Sequence, residues 1–190
     1  TGPDASSAQS IEDLAIYRPL PNVVVLHPCD DISTRLLTVQ LAESNNPSYT
    51  RTARNKTPVL YQGRESEIKI GKGVKLVEGS DVAIIACGVM VSESLKAAEE
   101  LSQRGLFATV IDMHTLKPID EDLLTEVAVN CRAIVTAEDH NVIGGLGSAV
   151  AEFLSTNIPI PLEMVGVQDR FGESGQADEM LSLMKISSPY

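Results

Sequence analysis

The sequence predicts an α/β protein in which a mostly parallel sheet carries helices on both faces. Two observations point there. Short runs such as NVVVLH (22–27), DVAIIAC (81–87) and AIVTA (133–137) are continuously apolar and rich in β-branched residues, the pattern of strands buried on both faces. The segments between them repeat their apolar residues at the helical spacing, so strand and helix alternate along the chain.

Taken in order, residues 1–10 are small and polar. A first helix begins near Gln9, with Ile11, Leu14, Ala15 and Tyr17 or Arg18 at helical spacing until Pro19 and Pro21 stop it. Pro28 closes the strand 22–27. Asp30 or Asp31 caps the next helix, in which Leu36, Leu37, Val39, Gln40 and Leu41 alternate with polar positions until Asn45, Asn46 and Pro47 break it. Residues 49–53, YTRTA, read as a strand with Arg51 and Arg54 close together at its exit. A β–α–β order over so few residues means a right-handed crossover between parallel strands. This first unit is too small to hold a core alone, so its remainder is expected upstream of Thr1 or on another chain.

The polar run QGRESE (62–67) is the plausible linker, which divides the chain into units 1–65 and 66–190. In the second unit, residues 68–77 are extended and 81–87 form a buried strand. Gly88 and Ser92 precede a helix with Leu95, Ala98 and Leu101 on one face and Gly105 as its stop. Residues 107–112 are the next strand, and Lys117, Pro118 and Asp120 lead into a helix over 121–129. The strand 133–137 carries Glu138, Asp139 and His140 at its carboxyl end, then Gly144, Gly145 and Gly147 turn the chain into another helix. Residues 162–167 make a fifth strand and 176–184 an amphipathic helix.

Composition excludes some functions. A formal net charge of −11 argues against a nucleic-acid partner, which requires clustered Lys and Arg to displace counterions. No apolar run reaches the length of a membrane span, and the start TGPDASS has no charged, apolar leader, so the expectation is a soluble, unexported, cytoplasmic protein without a membrane partner. Cys29, Cys87 and Cys131 are odd in number and widely spaced in apolar surroundings, which reads as buried free thiols rather than a disulfide framework or zinc site.

Four features could carry chemistry. The glycines at 144, 145 and 147 lack the third position of a dinucleotide fingerprint, where Val150 stands, and no P-loop lysine follows; a tight turn onto a closely packed helix is the better reading. Glu138, Asp139 and His140 could be metal ligands or a proton relay, but adjacent residues rarely converge on one ion, and a hydrogen-bonded crest or subunit contact is favoured. Asp30 and Asp31 read as a helix cap. Arg51 and Arg54 could hold an anion, since a planar guanidinium suits phosphate, although neighbours three apart on a strand need not face one site.

Read together, these residues resemble the C-terminal part of transketolase. The resemblance runs through GPDASSAQSIEDLAIYRPLPN (2–22), HPCD (27–30), YTRTAR (49–54), LKPID (116–120) and AEDHNVIGGLGSAV (137–150), in the family's order over nearly the whole chain. It implies the latter half of a pyrimidine-binding α/β unit at 1–65. A three-layer α/β/α C-terminal domain with a mostly parallel five-stranded sheet would follow at 66–190. It also implies thiamine diphosphate chemistry, in which a two-carbon ketol unit passes from a ketose phosphate to an aldose phosphate. Arg54 matches the family's sugar-phosphate arginine and Asp4 the aspartate that contacts a substrate hydroxyl. Ala5 and Ser6 replace the usual Gly-Pro, and Ala8 stands where many members carry a substrate-binding histidine. The cofactor-activating glutamate and the diphosphate and magnesium site have no match in these residues. The chain is therefore expected to supply no catalytic or metal-binding residue, to be inactive alone without tight cofactor binding, and to work with an N-terminal section in a homodimeric or two-subunit assembly. Deoxyxylulose-phosphate synthase, the β subunits of 2-oxo acid dehydrogenases and a non-catalytic assembly module are the alternatives.

Overall fold

The computed structural model describes residues 9–189. A short helix α1 (Asp13–Tyr17) leads to strand β1 (Val24–Leu26) and helix α2 (Asp31–Ala42). Asp30, not Asp31, caps α2: its carboxylate accepts the Ser33 N–H at 2.7 Å while Ser33 Oγ accepts the Asp30 N–H at 3.1 Å. Strand β2 (Ser48–Thr50) lies parallel to β1, as the β–α–β order requires. It is shorter than the expected 49–53, because after Arg51 N–H bonds to Leu26 O at 2.9 Å the chain leaves the sheet.

The rest of the chain gives β3 (Val74–Val77), β4 (Val82–Ala86), α3 (Met90–Ser102), β5 (Ala108–Asp112), β6 (Thr115–Lys117), α4 (Glu121–Asn130), β7 (Ile134–Asn141), α5 (Leu146–Asn157), β8 (Leu162–Val167) and α6 (Ala177–Leu183). Five strands form one sheet in the order β3-β5-β4-β7-β8, parallel except for β3, which runs antiparallel to β5. Side-chain alternation along β4 shows why its sequence is apolar throughout. Ala83 and Ile85 pack with Leu124 and Val127 of α4 and Leu146 and Val150 of α5, whereas Ile84 packs with Ala98 of α3 and Val110. The sheet is thus covered by helices on both faces, as expected.

Two features depart from the sequence reading. Residues 115–117 form a strand that no sequence pattern marks, and β6 joins the small sheet β2-β1-β6 by pairing antiparallel with β1. The run 62–67 is not a slack connection. It contains a 3-10 turn at Glu65–Glu67, Tyr61 just before it is fully buried, and Arg64 Nη2 donates to Lys75 O at 2.9 Å. Of the extended segment 68–77 only its last four residues make a strand.

Val24, Leu26 and Leu37 from the first part of the chain share one buried cluster with Ala86, Met90, Val91 and Ala137. That packing brings the exit of β2 beside the carboxyl-terminal half of β7. The three cysteines are buried and unpaired. Among the described residues no helix is long and apolar enough to cross a membrane.

Candidate functional site

The crest after residue 137 is not a loop. β7 runs on through Asn141, so Glu138, Asp139 and His140 alternate across a strand. Glu138 and His140 point inward and are fully buried. Glu138 Oε2 and Oε1 accept the N–H groups of Leu146 and Gly147 at 2.7 and 2.8 Å, the first amides of α5. A carboxylate of the chain itself therefore occupies the helix N-terminus, where a nucleotide phosphate would have bound. Burial pushes its carboxyl up to about 7 against those two hydrogen bonds. The glycines permit this contact: a Cβ on Gly145 would lie 1.9 Å from Glu138 Oε2, and one on Gly147 2.6 Å from Met164 Sδ.

His140 accepts the Ala15 N–H on Nε2 at 3.4 Å and its Nδ1 lies 2.6 Å from Asn141 O, so Nδ1 carries the proton and donates. Burial holds this imidazole below its ordinary value and therefore neutral. Glu138 and His140 thus make the hydrogen bonds of one of the two roles expected of this triplet, a hydrogen-bonded crest or a subunit contact. Among the described residues no group of three or more His, Cys, Asp or Glu side chains could hold a metal ion.

Asp139 faces the other way and meets Arg51. Arg51 Nη2 donates to the Asp139 carbonyl at 3.0 Å, to its Oδ2 at 3.3 Å and to Ser10 O at 3.3 Å, while Nε stands 3.7 Å from Asp13 Oδ2. Tyr49 OH donates to the same Asp13 oxygen at 2.6 Å, and its ring stacks on Tyr17 with centroids 3.9 Å apart. Burial opposes ionisation of Asp139, but the guanidinium holds its carboxyl below the usual range. His27, 3.6 Å from Asp139, is pushed down to about 4 by burial and stays neutral. Arg51 is thus an internal ion-pair hub, whereas Arg54 is exposed.

Arg54 lines a cleft of about 720 Å³ whose floor includes Asp13, Arg51 and Asp139. Lys56 on the same segment, Glu93 and Lys96 of α3 and Asp178 of α6 also line it, and Lys96 Nζ donates to Glu93 Oε1 at 2.6 Å. Asp4, the other expected substrate contact, lies outside the described residues, as does Ala8.

A second buried group closes the far end of the Arg54 segment. Asp30 Oδ2 accepts the N–H groups of Leu60 and Tyr61 at 2.8 and 3.1 Å. Tyr61 OH and Cys29 Sγ donate to Asp112 Oδ2 at 2.8 and 3.2 Å. With only neutral donors, burial raises the Asp112 carboxyl to about 7.

Residues 71–189 match the model of the transketolase C-terminal domain. The chain belongs to that family. It is 43% identical over 182 residues to a putative transketolase C-terminal section of Methanocaldococcus jannaschii, covering 95% of this chain and 57% of the relative. It is 44% identical over 169 residues to the 6-deoxy-6-sulfo-D-fructose transketolase subunit SqwH of a Clostridium strain, covering 89% and 52%. A solved structure of a split-gene transketolase, an inactive β4 tetramer, superposes with a TM-score of 0.93 at 45% identity, covering 97% of this chain and 60% of that one. The chain thus spans about half the length of the curated relatives it matches. Transketolases depend on thiamine diphosphate. The described residues do not fit that group: they offer no metal-holding cluster, and the cleft is lined mostly by polar and charged side chains of both signs with Tyr49 as its one aromatic ring among the described residues, not by an aromatic enclosure for a pyrimidine.

Sequence reasoning missed Asp13, Lys56 and Lys96 as parts of this site, and it set Asp139 with Glu138 and His140 rather than against Arg51. Period-2 alternation through 138–140 would have set Asp139 apart from its neighbours had the strand been extended; nothing in the sequence marks the others.

Proposed function

We propose that this chain is the C-terminal section of a thiamine-diphosphate-dependent transketolase that moves a two-carbon ketol unit from a ketose phosphate to an aldose phosphate. A separate N-terminal section supplies the cofactor and Mg, and the two sections assemble into a cytoplasmic oligomer. The observation that carries this reading is that Arg54 and Lys56 line one cleft of mixed charge, whose lining also holds the Arg51–Asp139 and Lys96–Glu93 pairs, Asp13 and Asp178. A guanidinium there suits a sugar phosphate, to which it donates paired N–H groups. Arg54 binds the phosphate and Asp4 a substrate hydroxyl, while the chain supplies no reacting group and is inactive alone. The split-gene neighbour and the subunit from Clostridium support a two-section arrangement.

The test is a ketol-transfer assay with xylulose 5-phosphate and ribose 5-phosphate, thiamine diphosphate and Mg. Product is expected from the complex purified with its N-terminal section and none from the chain alone. Arg54→Ala is expected to raise the KM for the phosphorylated sugars by about tenfold or more, the loss of one charge-assisted contact. Activity confined to pyruvate with glyceraldehyde 3-phosphate would move the reading to the synthase. A complex inert with both pairs would make the chain an assembly module.

A further inference from the structure

The segment from Thr52 to Val59 carries Arg54 and Lys56 into the cleft, yet it contains no regular secondary structure. A backbone without a hydrogen-bond ladder does not by itself set where a side chain sits. Its two ends, however, are tied by buried carboxylates. At the far end Asp30 accepts the amides of Leu60 and Tyr61 while its other oxygen caps α2. At the near end Arg51 is gripped by Asp139, whose side-chain and backbone oxygens both receive Nη2.

Arg51 also reaches Ser10 O and stands beside Asp13. One side chain thus joins the approach to α1, the exit of β2 and strand β7. Those first two segments are the continuations of the stretches that hold Asp4 and Arg54. Asp139 belongs to the part of the chain matched by the C-terminal domain model, at some remove in sequence from either.

We propose that Asp139 is a positioning residue for substrate-phosphate binding: through Arg51 it fixes the point from which the Arg54 segment leaves the sheet. This rests on the ketol-transfer reading. It gives residues 71–189 a part in substrate affinity that their packing alone does not require. Asp139 acts by holding a guanidinium that holds a strand end.

The test uses the complex with its N-terminal section and compares Asp139→Asn, Arg54→Ala and the double variant. A phosphorylated ketose donor is set against an unphosphorylated one, hydroxypyruvate. Asp139→Asn keeps the backbone carbonyl that Arg51 uses and loses only the carboxylate charge. It is expected to raise the KM for the phosphorylated donor several-fold with kcat nearly unchanged, and to leave the KM for hydroxypyruvate in place. In the Arg54→Ala background the same change is expected to add little further. An unchanged phosphosugar KM in Asp139→Asn, with Arg54→Ala raising it, would overturn the proposal alone. An unchanged KM in Arg54→Ala would overturn the phosphate reading and the proposal with it. Equal losses with both donors would show a merely structural role and also overturn the proposal. Should Asp139→Asn fail to fold, Arg51→Lys carries the same comparison, because it keeps the charge and loses the forked donor geometry.

Discussion

Asp139 and Asp112 both lie beneath the surface near the ends of the Arg54 segment, and they titrate in opposite directions. Burial works against the charged form of each. Asp139 has a guanidinium against it and is held below the ordinary carboxylate range, whereas Asp112 receives only a phenol and a thiol and rises to about 7. Hydrogen bonds are present in both places, so they do not separate the two. What separates them is whether a partner brings opposite charge, because in a medium of low polarity the Coulomb interaction outweighs the difference between a neutral donor and water.

The largest expected effect comes from removing that charge. Arg51→Met leaves Asp139 and Asp13 buried near one another without a cation. It is expected to cost about 3–5 kcal/mol of stability at pH 7, read by chemical denaturation of the complex or the chain. It should also reverse the pH dependence of Asp139. In the native protein its folded pKa lies below the unfolded one, so its contribution is present above that unfolded value and lost as pH falls through the folded value. Without Arg51 the folded pKa rises, and the group then destabilises increasingly as pH rises. A second change, Asp139→Asn in the Arg51→Met background, should recover part of the loss. Purely additive effects of the two changes would mean that the guanidinium is not what keeps Asp139 ionised.

Asp112 offers the converse experiment. Its folded pKa of about 7 lies above an unfolded value of about 3.9. The stability tied to its proton is therefore fully present below the unfolded value and lost as pH rises through 7. Asn resembles the protonated acid and can still accept from Tyr61 and Cys29. Asp112→Asn is expected to be the more stable protein at pH 8, on the order of 1–3 kcal/mol, and to lose that advantage below about pH 4. His27 and His114, both lowered to about 4 by burial, add an opposite slope between their folded and unfolded values. They are common to both proteins, so the difference between variant and parent isolates Asp112.

Much of this was legible in the sequence and part of it could not have been. Continuous apolar runs announced β1, β4 and β7 because a strand buried on both faces has no polar side to show. Asp30 was legible as a cap because capping is local. β6 was not, since three residues carry no period and its partner, β1, lies far back in the chain. The crest was cut short for a related reason: Glu138, Asp139 and His140 look like loop residues until the α5 amides, Arg51 and the α1 backbone are known to be waiting for them. Strand alternation warned that Arg51 and Arg54 need not share a site. Which of them goes inside was decided by Asp13 and Asp139, which are distant in sequence from them and from each other.

The smallest expected effect tests whether pairing alone is enough. Arg64 makes a better-formed contact with Glu67 than Arg51 makes with Asp139, donating from Nε and Nη2 to the two carboxylate oxygens at 2.8 and 2.7 Å. Its hydrogen bonds hold the Glu67 carboxyl below the ordinary value, the same direction as Asp139. The pair is nonetheless substantially exposed, with 34% and 42% of the two side chains accessible, so water replaces what either partner loses. Glu67→Gln is expected to cost no more than about 1 kcal/mol, and less in high salt, where an exposed pair is screened. Arg64 would keep its bond to Lys75 O and the turn at 65–67 its place. A cost near that of Arg51→Met would mean that hydrogen-bond geometry, rather than the absence of water around a paired charge, makes the floor of the cleft expensive to disturb.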